Sequence, residues 1–292
     1  MVETTELALI PRHARSIQAV LFDFEGTLAD FIRPRHLLAD EGAQAATAVL
    51  RAAGLALPDD FADQWRQALD LAAAKAAREQ QEYSADDTLT FLIQYYGNSR
   101  ASRKLVRQAV DAHYAPLVAA VTALPGALAV VQTLHQAGFH LAIVANANCD
   151  RSVQRMVRQI GLREQVDIVL TSQTVQMRKP RPELYTLTLQ AWDVDPYQAV
   201  AVGARLDEDI APAQELGMRA VLFNAQPHPT NARPAQQVQP DAEITSWDEL
   251  WPLLAGWLTA DARPDDDFWA AAAPLEPPPV PNDFDPETPA AA

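Results

Sequence analysis

Asp23-Phe24-Glu25-Gly26-Thr27 stands at the end of an apolar run from Ile17 to Phe22. A buried strand that delivers an aspartate into a Gly-Thr turn is a mount for a nucleophile. Such a carboxylate can attack phosphorus, or a carbon bearing a leaving group, and form a covalent acyl intermediate. Glu25 can hold and release a proton two residues farther on. Three later segments carry further candidates: Val144-Ala145-Asn146, Met177-Arg178-Lys179-Pro180, and Gly203-Ala204-Arg205-Leu206-Asp207-Glu208-Asp209. A lysine can hold a carboxylate or an anionic group by charge. An asparagine can donate to a substrate oxygen or cap a turn. By contrast, the six histidines show no metal-ligand spacing. The lone Cys149 cannot form an internal disulfide.

These candidates are far apart in the chain, so the elements between them must bring them together. After Phe22 the pattern turns helical. Segments 37–53, 61–79, 88–96 and 105–121 each place apolar residues three and four apart. Pro58-Asp59-Asp60 and Ser84-Ala85-Asp86-Asp87 look like helix starts, with acids near the positive end of the dipole. This strand-free stretch predicts a helical insertion over 32–118. From Pro125 onward strands and helices alternate, with strands over 139–145, 166–170, 199–203 and 219–223. The helices between them cover 150–160, 182–192 and 207–216, and a last one covers 247–258. Strands separated by helices imply right-handed crossovers and an α/β, doubly wound parallel sheet. Its core is expected over 14–31 and 119–259. In such a sheet sites form where loops converge beyond the C-terminal strand ends, and all four candidate segments fall there.

The chain has 292 residues, 49% of them hydrophobic, which suffices for one large domain with an inserted subdomain. The net charge of −15 disfavours nucleic acid as a partner, because a polyanion gains nothing from counterion release. No apolar stretch reaches membrane-spanning length. The first fifteen residues carry early acids and no signal-like apolar run, so a cytoplasmic location is expected. From residue 260 to 292 the chain is rich in proline, acid and alanine, including Pro277-Pro278-Pro279-Val280-Pro281. That composition predicts a disordered tail, either a solubilising segment or a docking peptide for a protein partner.

Taken in order, Ile-Gln-Ala-Val-Leu-Phe-Asp-Phe-Glu-Gly-Thr-Leu, Arg-Lys-Pro-Arg-Pro-Glu-Leu-Tyr and Asp-Ile-Ala-Pro-Ala-Gln-Glu-Leu-Gly-Met resemble the haloacid dehalogenase superfamily over residues 17–224. The helical insertion falls where many members carry a cap. The resemblance implies Asp23 as nucleophile, Glu25 as acid and base, and Lys179 as charge clamp. Thr27, Asn146 and Arg205 become substrate-binding candidates. Mg²⁺ would be held by Asp23, the backbone carbonyl of Glu25 and Asp209, weakly or not at all, because Ala204 stands where members have a metal-binding aspartate. Arg205 could instead place its guanidinium where the metal belonged and pair with Asp23.

Two more departures matter. Glu25 replaces the usual aspartate, and a misplacement of about a bond length can cost roughly 100-fold. Ala145 supplies no hydroxyl, and losing one such donor costs about 10²–10³ in rate. Three functions stay open: a weak or specialised phosphatase acting on a small phosphate ester, a catalytically inactive relative with a binding or regulatory role, and a metal-free haloacid dehalogenase.

Overall fold

The structure, a computed structural model, describes residues 16–232 and 238–261. The acidic segment expected to be disordered lies outside these residues, apart from its first two positions, which end the last helix.

Six parallel strands form the central sheet: β1 (Ala19–Phe22), β4 (His140–Ala145), β5 (Ile168–Thr171), β6 (Ala199–Gly203), β7 (Arg219–Phe223) and β8 (Ala242–Ile244). Their order is β5-β4-β1-β6-β7-β8. Successive side chains point to opposite faces, and because the central strands are apolar apart from His140, both faces are buried. Val20, Phe22, Leu141, Ile143, Val200 and Val202 pack to one face, under α5 (Ala127–Gln136), α6 (Asp150–Gln159) and Trp247. Ala19, Leu21, Ala142, Val144 and Ala201 pack to the other, under α8 (Glu183–Trp192) and α9 (Ala211–Glu215). The chain builds leftward from β1 through β4 and β5, then returns to build rightward through β6, β7 and β8. The sheet therefore reverses direction around β1, and a crevice opens at its C-terminal end. Asp23 is the first residue past that end.

Between β1 and β4 the chain leaves the sheet through a two-stranded antiparallel ribbon, β2 (Ala29–Phe31) with β3 (Val121–Ala123). Four helices follow β2: α1 (Arg35–Ala52), α2 (Phe61–Glu79), α3 (Ala85–Tyr95) and α4 (Arg103–Ala120). Their amphipathic faces close on a separate core of Leu38, Leu50, Phe61, Trp65, Leu89 and Val110, which Cys149 of the sheet domain also joins. Ser84 and Ser102 cap α3 and α4 by accepting from the Asp87 and Leu105 amides at 3.0 and 3.2 Å. Arg151 on α6 holds this layer down, bonding Asp86 on α3 at 3.0 and 3.1 Å and Asp111 on α4 at 2.9 Å. The Tyr114 hydroxyl donates to Asn148 Oδ1 at 2.5 Å.

Inside the helical layer, His113 accepts a hydrogen bond from Trp65 Nε1 at 3.3 Å. Burial lowers its pKa from 6.5 to about 4. The folded value lies below the unfolded one, so the unfolded chain takes up the extra proton in acid. This contribution to stability is complete above pH 6.5 and lost as pH falls toward 4. Between pH 7 and pH 5 the loss amounts to about 2 kcal/mol. Denaturant unfolding of the native chain and of His113→Gln at both values isolates it, because titrations elsewhere are common to the two: from pH 7 to pH 5 the native chain should lose about 2 kcal/mol relative to the variant.

The structure differs from the sequence expectation in its minor elements. The ribbon β2–β3 and the edge strand β8 are three residues each, too short to leave a pattern. The segment expected to be a helix over 207–216 instead opens with a wide turn over Leu206–Ile210 before α9. Arg205 O accepts from both the Asp209 and Ile210 amides there. The wider winding places Asp209 inward, where a lysine awaits it.

Candidate active site

The floor of the crevice is built on Lys179. Its ammonium donates to Asp23 Oδ1 at 2.7 Å, Asp209 Oδ1 at 2.6 Å and the Val144 carbonyl at 3.0 Å. One buried cation thus ties together the ends of β1, β4 and β6. Burial works against the ammonium, but Asp209 and then Asp23 outweigh it and raise its pKa well above the ordinary lysine value. Burial and the nearby Asp23 charge raise the Asp209 carboxyl, against the pull of Lys179, to about 6. Asp209 Oδ2 also accepts from the Arg205 amide at 2.9 Å. Gly203 permits this approach, since a Cβ there would lie 2.4 Å from Asp209 Cβ.

The other Asp23 oxygen, Oδ2, accepts from the Thr27 hydroxyl at 3.1 Å. The carboxylate is thereby fixed in orientation while its side chain keeps 15% exposure toward a cavity of about 770 Å³. Glu25 lines that cavity too, but its carboxylate pairs with Arg35 at the start of α1. Asn146 faces inward along the rim. Its Oδ1 accepts from the Lys179 amide at 2.8 Å, and its Nδ2 donates to the Lys179 carbonyl at 3.0 Å and to Glu208 at 2.9 Å. The asparagine is spent on holding the lysine segment.

Arg205 does not pair with Asp23. Its guanidinium bonds Asp207 at 3.2 Å and lies 3.1 Å from Glu208. These two acids, two and three residues farther on, capture it first, because the turn places them nearer than the crevice. Among the described residues no group of three His, Cys, Asp or Glu side chains is arranged to hold a metal ion. Of the three expected ligands, Asp209 is occupied on both side-chain oxygens, and Asp23 is bonded by Lys179 and Thr27.

Two residues of this site escaped the sequence reading. Glu208, which falls at the start of the helix expected over 207–216, is where Asn146, Arg205 and, at 3.9 Å, Arg178 meet. Glu82, between α2 and α3, is buried against the sheet domain and accepts from Ser172 Oγ at 2.6 Å. Its backbone follows a bridge between Gln81 and Met177, two residues before Lys179. No sequence signal marks Glu82, because its partners lie about 90 residues away.

Known proteins give the same picture. A family described as haloacid dehalogenase-like hydrolase matches residues 17–217. An (S)-2-haloacid dehalogenase from Burkholderia cepacia is 27% identical over 85% of this chain and 99% of its own. A glyceraldehyde 3-phosphate phosphatase from Methanopyrus kandleri is 29% identical over 70% of this chain and 83% of its own. A ribulose-1,5-bisphosphate 5-phosphatase from Halopiger xanaduensis is 30% identical over half of this chain, and the match spans 62% of that protein's length. The crystal structure of a 2-haloacid dehalogenase from Pseudomonas syringae superposes with a TM-score of 0.63 at 26% identity, covering 82% of this chain and 99% of that one. A matched family over two thirds of the sequence, on a parallel sheet of this order, places the chain in the haloacid dehalogenase-like hydrolase family.

Proposed function

We propose that this hydrolase works without a divalent metal, through a covalent intermediate on Asp23 and substitution at a carbon that bears a leaving group. The observation that carries the reading is the Lys179 junction. It keeps Asp23 oriented, with one oxygen on Lys179 and the other on Thr27, and uses protein charge alone. Magnesium needs near-octahedral oxygen donors and sheds water reluctantly. With Ala204 carrying a methyl group and Asp209 committed to Lys179 and Arg205, the donor set does not fit that ion. Displacement at carbon has no such requirement. An Asp23 oxygen forms a C–O bond as the C–X bond breaks, and X departs with the electron pair. Water then adds to the Asp23 carboxyl carbon, releases the alcohol product and restores the carboxylate. The near end-to-end match to a dehalogenase supports this reading.

The phosphatase relatives favour a second reading, a weak phosphatase using the same aspartate on a small phosphate ester. The absent carboxylate at Ala204 weighs against it, because that chemistry calls on the metal. A non-catalytic role is the third, with the Glu25–Arg35 pair as its support.

Turnover in ¹⁸O-water separates them. On the proposed route the first turnover puts one heavy oxygen into the peptide carrying Asp23, halide is released, and chelator has no effect. Phosphate release that requires Mg²⁺ would select the second reading. An unlabelled peptide, with no product from a panel of halogenated and phosphorylated substrates, would sink the first two. Asp23→Asn serves as the control that abolishes product.

A further inference from the structure

The cavity beside Asp23 is lined by five carboxylates, Asp23, Glu25, Asp30, Glu82 and Glu208. Among the described residues its cationic lining is three guanidiniums, Arg35, Arg178 and Arg205. Each is already committed to acid: Arg35 to Glu25, Arg205 to Asp207 and Glu208, and Arg178 to Glu82 at 3.6 Å and Glu208 at 3.9 Å. His228 also lines the wall, and burial followed by the Arg205 charge lowers its pKa, so it adds no positive charge at neutral pH. An entering phosphate or carboxylate would meet a net negative wall with no uncommitted cation.

One group on that wall nonetheless wants an acceptor. Arg178 faces Glu82 at 3.6 Å and Glu208 at 3.9 Å, too far for a hydrogen bond to either, so its terminal guanidinium nitrogens are held to them by charge alone. Glu82 and Glu208 spend their oxygens elsewhere, on Ser172, Asn146 and Arg205. A buried donor left unsatisfied is unfavourable, and a neutral carbonyl oxygen relieves it without adding negative charge.

We propose that Arg178 is a substrate-recognition residue, and that the cavity takes an uncharged ligand presenting a carbonyl oxygen to it, such as an amide or ester, in preference to a carboxylate or phosphate. The proposal rests on the hydrolase reading for the identity of the site, and names the substrate class. The electrophile would be an α-substituted amide or ester, whose carbonyl anchors on Arg178 while Asp23 reaches the adjacent carbon. For 2-chloropropionamide, C2–O forms, C2–Cl breaks, and chloride leaves. Water then attacks Asp23 and yields the 2-hydroxyamide, with a proton passing to solvent.

Isobutyramide and isobutyrate differ in charge but hardly in shape, and neither can react. Titration of the native chain by NMR, with inorganic phosphate as a third probe, should show isobutyramide binding at least tenfold tighter than either anion. Arg178→Met should weaken isobutyramide binding at least tenfold, and Glu208→Gln should narrow the preference by raising isobutyrate affinity. Equal or tighter binding of isobutyrate or phosphate would overturn the proposal, as would an unchanged isobutyramide affinity in folded Arg178→Met. Chloride release from 2-chloropropionamide beside 2-chloropropionate then tests the chemistry separately. Faster release from the acid overturns the proposal. If the binding preference holds while neither compound reacts, the ligand class stands and the hydrolase reading falls.

Discussion

Lys179→Met should destabilise the protein by about 3–5 kcal/mol at pH 7, the usual cost of removing one partner from a buried ion pair. Lys179 is 1% exposed and is the shared partner of Asp23 and Asp209. Methionine fills its stem volume but leaves two carboxylates facing each other beneath the sheet rim. The pH dependence identifies the cause. In the native chain the Lys179 pKa is raised, so its contribution is complete below its unfolded value of 10.5 and stays constant from pH 5 to 9. Asp209 is raised from 3.8 to about 6, so its contribution is complete below 3.8 and lost as pH rises through 6. Without the lysine that rise grows, because burial and Asp23 act unopposed. Lys179→Met should therefore recover much of its deficit between pH 7 and pH 5, and urea unfolding at the two values measures it. A deficit that does not change with pH would assign the loss to packing.

Gly42→Ala should unfold or open the helical layer, at a cost of about 3 kcal/mol or more, the upper range for overpacking. A Cβ at position 42 would lie 2.0 Å from the His113 carbonyl oxygen and 2.9 Å from its carbon. Those atoms are backbone, so no rotamer change relieves the contact. Helices α1 and α4 would have to separate, and they are the most extensively packed pair in the layer. Separation exposes Trp65 and breaks its bond to His113. A red shift of tryptophan emission, together with a lowered thermal midpoint, reports it. Gly54→Ala, in open space though at positive φ, is the milder comparison.

The parallel sheet was legible because strands buried on both faces leave apolar runs bounded by turn residues. The expected strands over 199–203 and 219–223 coincide with β6 and β7, and the helix over 61–79 with α2. The approach of Lys179 to Asp23 could also be read, because Asp23 directly follows β1, Lys179 lies in the segment that follows β5 and the one-turn helix α7 (Ser172–Val175), and segments beyond the strand ends of a doubly wound sheet converge. What the sequence hid are choices among competing partners. Arg205 had Asp23 and its own neighbours Asp207 and Glu208 within reason, and proximity along the turn decided for the neighbours. Asn146 could have faced substrate, but the lysine segment offered it both a donor and an acceptor. Glu82 depends on which way a helical insertion folds back, and nothing local encodes that.

The ribbon that joins the two layers has a wider consequence. Because β2 and β3 run side by side, the chain departs and returns at nearly the same point, so β1 and β4 meet in register whatever lies between them. Closing a longer detour costs only logarithmically more. The insertion is then a parenthesis in the polypeptide sentence. Evolution can rewrite its wording, and with it the choice of guest, while the grammar of the attacking carboxylate stays intact.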